Sequence, residues 1–371
     1  MDLKKNRNHP LLPQKQGALS PGTAVSIVAP MARAKVTIHD VANAVGVHPS
    51  TVSRVLNANT RHMVTAAIAQ RVMEATRALG YHPNALAHSL RTRRSNTIGV
   101  LIPDITNPVF PPILRGIEDG LAAAGYTAMI ANTDGAADRA NLILEGMLAR
   151  RVDGFILATA QRKDPSIDRC VAEDIPLVLI NRTTKSTGRA ISVITDDAAG
   201  IALTVAHLAG LGHKRIAHIA GPLQLSTGYE RHRGFIAAMD SVGLERQPAL
   251  IVVAEAFSEH AGERAMLTLL DRGKKFTAVV TGNDLLALGA YDALNARGLR
   301  CPQDISITGF NDMPFVDKVS PPLTTVRIQH YEMGMRAAAA VLERIKEPGT
   351  RGVDVRLEPA LVVRGSTARP A

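Results

Sequence analysis

The chain has 371 residues, 46% hydrophobic and 20% charged, which is enough for two or three domains with sizeable cores and excludes a mini-protein. No apolar run approaches the ~18 residues a membrane helix needs, so a bitopic membrane protein is excluded as well. The formal net charge of +10 is unevenly placed: Met1 to Ser95 holds 13 Lys/Arg against Asp2, Asp40 and Glu74, whereas Asn96 to Ala371 carries 30 of each sign. A basic N-terminal quarter on a near-neutral body is the asymmetry of a nucleic-acid-binding head on a larger sensing or enzymatic domain, with a solvated basic tail as the alternative. Cys170 and Cys301 stand far apart without a CxxC or a histidine cluster. They indicate neither a disulfide framework nor a zinc site, and they fit a reducing compartment.

Residues 1–34 are rich in Pro, Asn, Gln and Lys and lack apolar periodicity, so a disordered extension is expected there, with Met31 as an alternative start. Lys4, Lys5 and Arg7 precede an apolar stretch, Thr23 to Ala34, but Ser26 and Pro30 interrupt it and a basic segment follows, which is unsuited to export. From Val36 the pattern changes. Ile38, Val41, Ala42 and Val45 recur at helical spacing between a candidate N-cap, Thr37, and a stop at Gly46. Pro49 fits the first position of a second helix with Val52, Val55 and Leu56 on its buried side. A third helix after Thr65, with Ile68, Val72, Ala75 and Leu79 on one side and Gly80 closing it, completes a three-helix unit over residues 35–82. Two helices three residues apart make a helix-turn-helix. Its outer face carries Ser50, Thr51 and Arg54, groups suited to base edges and phosphates in a major groove, or to an ordinary solvated face.

The segment TIHDVANAVGVHPSTVSRVLN, followed by ALGYHPNALAHSLRTRRSNTIGVLIPDITNPVF, resembles the start of a lactose/galactose repressor family regulator. The resemblance implies that Thr37, His48, Pro49, Ser50, Thr51, Ser53, Arg54 and Asn57 face DNA, with His48, Pro49, Ser50 and Arg54 near base edges and Thr51 and Ser53 near phosphates. Pro49 stands where some members have an aromatic residue and has no side-chain donor. It also implies that residues 83–96 form a hinge that folds on operator DNA and inserts Leu90 between base steps in the minor groove. Arg91, Arg93 and Arg94 follow without a balancing acid, suited either to tracking phosphates or to a plain basic linker.

From Thr97 short apolar runs alternate with helix-length segments. The runs are Ile98 to Ile102, Ala128 to Ala131, Gly154 to Ala158, Leu177 to Ile180, Ile216 to Ala220, Ala278 to Val280 and Ile305 to Thr308. Candidate helices include Pro112 to Ala124, Gly200 to Leu211, Arg231 to Val242 and Leu285 to Arg297. This alternation predicts an α/β body over residues 97–371, with parallel sheets covered on both faces and, at this length, two lobes. Polar pairs fall at the strand ends: Asp104 with Asn107, Asn181 with Arg182, Asp196 with Asp197, Asn283 with Asp284 and Asn311 with Asp312. Such groups suit a hydroxylated ligand beyond the carboxyl ends of the strands, with helix N-capping as the alternative for each.

The resemblance extends from about Val36 to Gly365 and implies a periplasmic-binding-protein-like core, two lobes joined by three crossovers with an effector between them. It carries an effector role onto Arg231 in STGYERHRGF, Asn283 in TGNDLLALGA, Phe257, Asn107 and Phe110 in PDITNPVF, Asn181, and Asn311, which takes the place usual for a carboxylate.

No catalytic motif is present: GxGxxG after the first strand, GxxxxGK[ST], GxSxG and HExxH are all missing. His207, His213 and His218 lie near predicted element ends and read as packing or surface residues. The expectation is a cytoplasmic, dimeric, non-enzymatic repressor that binds a palindromic operator under control of a sugar, sugar acid or nucleoside, with no cofactor and no metal. The helix beginning at Leu285 is expected to form part of the dimer contact. A leucine heptad is absent before Ala371, so a tetramerising coiled coil is not expected. The alternatives are a sugar-binding receptor and a sugar-modifying enzyme.

Overall fold

The computed structural model describes residues 36–57, 60–81, 94–185, 190–347 and 353–371. The chain splits into two units, Met1–Pro83 and Asn84–Ala371. The expected extension 1–34 and most of the expected hinge, Leu90 included, lie outside the described residues.

In the first unit α1 (Ile38–Val45) begins at Thr37, whose side chain accepts from Asp40 N–H while the Asp40 carboxylate accepts from Thr37 N–H, a capping box. Gly46 ends it in the left-handed region at φ 70, where a residue without Cβ carries no steric penalty. Pro49 opens α2 (Pro49–Leu56) at its first position, and α3 spans Ala66–Ala78. Val41, Ala42, Val45, Val52, Val55 and Val72 form the buried centre. The polar ends are stapled by long cations: Arg71 donates to the Val45 carbonyl at 2.8 Å and Arg61 to the Val55 carbonyl at 2.9 Å. The periodicity is misleading at one place. Leu79 lies one residue past α3 and is 38% exposed, because the chain has already turned toward Gly80.

The second unit contains two parallel sheets. The first comprises β1 (Thr97–Ile102), β2 (Thr127–Asn132), β3 (Gly154–Leu157), β4 (Leu177–Ile180), β5 (Ile191–Thr195) and β11 (Val355–Leu357), in the order β11-β5-β4-β3-β1-β2. Its helices are α4 (Phe110–Ala123), α5 (Ala137–Ala149), α6 (Pro165–Ala172) and α11 (His330–Lys346). The second sheet comprises β6 (Ile216–Ala220), β7 (Ile251–Val253), β8 (Ala278–Thr281) and β9 (Ser306–Thr308), in the order β7-β6-β8-β9, with α7 (Asp197–Gly210), α8 (Ser226–Ser241), α9 (Glu259–Asp271) and α10 (Asp284–Ala296). Strands β1, β3, β4 and β6 read as continuous apolar runs because helices cover both sheet faces. A small antiparallel pair, β10 (Thr325–Arg327) with β12 (Ala360–Val362), completes the second lobe.

The chain passes between lobes three times: from β5 into α7, from β10 into α11, and from β11 into β12. Of the expected helices, Arg231 to Val242 differs most, since α8 begins at Ser226, five residues earlier. His218 also differs: it sits inside β6, fully buried, donating from Nδ1 to the Val280 carbonyl at 2.8 Å and stacked on Phe235 at 4.4 Å between ring centroids. Burial pushes its pKa down to about 3, so it is a neutral packing residue. His213 bridges Thr277 Oγ1 and the Ala368 carbonyl, both at 2.8 Å, and His207 reaches Thr367 Oγ1, so both clasp the C-terminal segment against the second lobe.

Candidate functional site

Six strand ends of the second unit supply the cleft. After β1, the Asn107 side chain accepts from Val109 N–H at 3.1 Å, a local bond that sets the loop before α4, and Phe110 opens that helix with its ring buried. After β4, Asn181 adopts φ 62, and Arg182 N–H returns to the Ile180 carbonyl at 2.6 Å to close a γ-turn. Such turns are rare for a residue with a side chain and cost backbone strain, which asparagine tolerates better than most. The strand end thereby presents two consecutive polar side chains to the gap between lobes. After β6, the early start of α8 places Thr227 and Arg231 on its first two turns. Beyond β7, Phe257 packs over Gly221, where a Cβ would fall 2.2 Å from the ring. At the end of β8, Asn283 is the N-cap of α10, accepting from Leu286 N–H at 3.0 Å. Past β9, Asn311 is buried at φ 117, a strained backbone held by its N–H bond to the Val326 carbonyl.

These side chains meet. Asn107, Phe110, Asn181, Arg231, Phe257, Asn283 and Asn311 all line one cavity of about 30 Å³, together with Val109, Arg182 and Thr227. By the ~10–15 Å³ that one water requires, the space holds about two waters. The lobes are drawn together around it. Arg162, after β3, donates from its backbone to the Gln224 carbonyl and from Nη1 to the Leu223 carbonyl, and its guanidinium lies 3.4 Å over the Tyr229 ring. Thr183 N–H donates to Ser226 Oγ at 2.9 Å.

Arg231 anchors the cavity electrostatically. Its Nε donates to Asp197 Oδ1 at 2.8 Å, Nη1 to the Gly282 carbonyl at 2.8 Å and Nη2 to Asn311 Oδ1 at 3.3 Å, while the guanidinium lies 3.8 Å from the Phe310 ring centre. Burial pushes the Asp197 carboxyl up, and the Arg231 guanidinium opposes that rise. Behind the cavity wall, burial pushes Asp284 up to about 7, although Thr325 Oγ1 and Met313 N–H both donate to it. The remaining strand-end acids have structural roles. Asp104 holds Thr106 in its own loop, Asp196 caps α7 through Ala199 N–H, and Asp312 pairs with Arg327 and Arg364.

In the first unit the DNA-facing candidates occupy the start and outer side of α2. His48, Ser50 and Arg54 are exposed, and Pro49, Thr51, Ser53 and Asn57 are half-buried. His48 is the N-cap: its Nδ1 accepts from Ser50 N–H at 3.2 Å and bonds Ser50 Oγ at 2.8 Å, which fixes two candidate readers relative to each other. The Thr37 hydroxyl is taken up by Asp40, and Asn57 is the C-cap of α2.

One polar contributor, Thr227, escapes a residue-by-residue reading. Arg182 and Thr227 line the cavity, and Asp197 reaches it through Arg231. Arg182 carried a signal in its position directly after a strand-end asparagine. Asp197 also stands at a strand end, but its pairing with Arg231 carries no sequence signal, since the partner lies 34 residues away and on another helix.

Among known proteins, residues 37–84 match the family described as bacterial regulatory proteins, lacI family, and residues 205–367 match a periplasmic binding protein-like domain. The ribose operon repressor of Escherichia coli (strain K12) is 35% identical over 332 residues, 89% of this chain and 99% of that protein. The lac repressor dimer bound to operator and the anti-inducer ONPF aligns with a TM-score of 0.79 at 27% identity, over 90% of this chain and all of that one. A lacI-family transcriptional regulator from Enterococcus faecium with bound ribose aligns with a TM-score of 0.66 at 33% identity, over 74% of this chain and all of that one. The two-unit architecture, a helix-turn-helix ahead of two parallel-sheet lobes, is thus shared along almost the whole length, and the chain belongs to the lacI family of bacterial regulatory proteins.

Proposed function

We propose that the chain is a cytoplasmic transcriptional repressor without enzymatic activity, that it grips a palindromic operator as a dimer, and that a small sugar-like effector controls the grip. The observation that carries this reading is the cavity between the lobes. Asn107, Phe110 and Asn181 come from one lobe and Arg231, Phe257, Asn283 and Asn311 from the other, so a molecule bound there contacts both and biases their orientation. A 30 Å³ space is too small for a sugar, so entry requires the contacts of Arg162 and Thr183 with the second lobe to open about the three crossovers. An effector then favours one lobe arrangement, and the two heads of a dimer fit one operator in only one of them. A coupling of ~1–3 kcal/mol gives roughly 5- to 150-fold control.

On the DNA side, His48, Pro49, Ser50 and Arg54 face base edges and Thr51 and Ser53 face phosphates, with Thr37 and Asn57 at the ends of the reading unit and Leu90 in the minor groove. The exposure of Ser50 and Arg54 on one side of α2 supports this. Dimerisation follows from the small footprint of a single head. The α10 helix contributes through Leu285 and Leu288, which remain half-buried within the protomer although they are apolar. The relatives agree with this reading: one repressor is solved as a dimer on operator DNA and one regulator with ribose bound. The test is fluorescence anisotropy of a labelled palindromic duplex against the full chain. Selective binding that falls steeply with salt and shifts on adding a sugar supports the reading, and indifference to duplex DNA at low salt refutes it.

A further inference from the structure

The charge inventory of the cleft is one-sided. Ten residues line the cavity, and none of them is an aspartate or a glutamate, whereas two, Arg182 and Arg231, are guanidinium cations. The carboxylates just outside are already engaged: Asp197 by Arg231, Asp196 by the first turn of α7, and Glu230 by Arg233 at 2.7 Å. Arg231 is therefore balanced. Arg182 is not, since no carboxylate pairs with it among the described residues and its Nε is buried without a hydrogen-bond partner.

Arg182 as a whole is half-buried, but a guanidinium nitrogen shut off from water with neither an anion nor an acceptor is costly to keep, and it is kept where a ligand supplies both. Burial and the nearby Arg231 bring the Arg182 pKa down to about 10, so it is still cationic at neutral pH. The neighbouring amides of Asn181 and Asn311 accept hydrogen bonds without adding negative charge that would repel an anion. The fork of an arginine also matches a carboxylate or phosphate in two parallel bonds, whereas a lone sugar hydroxyl uses only part of it.

We propose that the effector is a sugar bearing an anionic group, a sugar acid or a sugar phosphate, and that Arg182 holds that group. The inference rests on the proposed effector cleft and adds the chemical class of its occupant. The carbon skeleton fills the space between Phe110 and Phe257, and the anion reaches across to the β4 end.

The test is isothermal titration of the full chain with two matched sets: ribose, ribonate and ribose 5-phosphate, and glucose, gluconate and glucose 6-phosphate. The expected result is that at least one anion binds ten times or more tighter than its neutral parent. Arg182→Gln should abolish that preference and Arg182→Lys should keep most of it. Carboxylate and phosphate arms separate the two sources of charge. Neutral sugars that bind as tightly as both anions, or no binding by any anion of either set, overturn the proposal, as does a preference surviving in Arg182→Gln. Asn283→Ser keeps the helix cap but removes the amide, so it reports on the cleft alone. If it weakens neutral and anionic ligands while Arg182→Gln changes neither, the cleft stands and the charge assignment falls. If it changes nothing, the cleft itself is misplaced.

Discussion

Arg231 and Asp197 form an ion pair at 2.8 Å with both side chains buried, one on the second turn of α8 and the other at the first position of α7. Because α7 follows directly on the first crossover between lobes, the pair links the cavity wall to the segment about which the lobes would move.

Breaking that pair from one side strands a buried charge. Arg231→Ala should destabilise the body by about 3–5 kcal/mol in urea unfolding. The double variant Arg231→Met with Asp197→Leu should recover much of that loss, since neither charge is left alone, yet it should not recover sugar binding. A double variant that binds effector normally would remove Arg231 from the cleft's machinery.

Asp284 predicts an unusual pH dependence. Its folded pKa of about 7 lies above the ordinary carboxyl value of 3.8, so between those values the folded chain holds a proton that the unfolded chain has released. This contribution to stability is complete below pH ~4 and is lost as pH rises through about 7. His218, depressed to about 3, acts in the opposite sense, losing stability as pH falls below ~6.5. The two are separated by difference. Asp284→Asn keeps an acceptor for Met313 N–H and turns a donor toward Thr325, imitating the protonated acid. The wild type should lose stability relative to this variant by on the order of a few kcal/mol between pH 4 and 8. A parallel pair of stability curves would show that Asp284 is ionised throughout.

Gly289 predicts a packing limit. A Cβ there would meet the Glu259 carbonyl oxygen at 1.8 Å, so α9 and α10 touch backbone to backbone. Gly289→Ala should cost ~1–3 kcal/mol, read by thermal or chemical unfolding, because the two helices must separate. Unchanged stability would mean that the helices slide apart freely.

On the reading helix, Arg54→Ala should relax base preference at one position of each half-site by ~1–3 kcal/mol, while non-selective binding weakens far less. Binding to operator and scrambled duplexes, compared across a salt series, distinguishes these effects. Equal losses on both duplexes would place Arg54 on phosphates.

Much of the architecture was legible because covered parallel strands read as apolar runs: Leu177 to Ile180 and Ile216 to Ala220 coincide with β4 and β6. The three-residue strands β10, β11 and β12 are too short to show a period, and their pairing is decided by the crossovers. The first turns of α8 were missed because Ser226, Thr227 and Gly228 are buried by close backbone packing, with a Cβ on Gly228 falling 2.2 Å from the Pro222 carbonyl oxygen, and such turns carry no apolar stripe. The same locality explains the site. Asn283 and Asn181 announce themselves at strand ends, whereas the roles of Asp197 and Asp284 arise from partners 34 and 41 residues away.

Occupancy of the cleft should govern the grip on DNA. Operator affinity of the full chain should be measured by anisotropy with and without the sugar acid or phosphate that binds most tightly. The affinity should change roughly 5- to 150-fold, and the change should disappear in Asn283→Ser. An operator affinity that stays constant while calorimetry shows the ligand bound would contradict it.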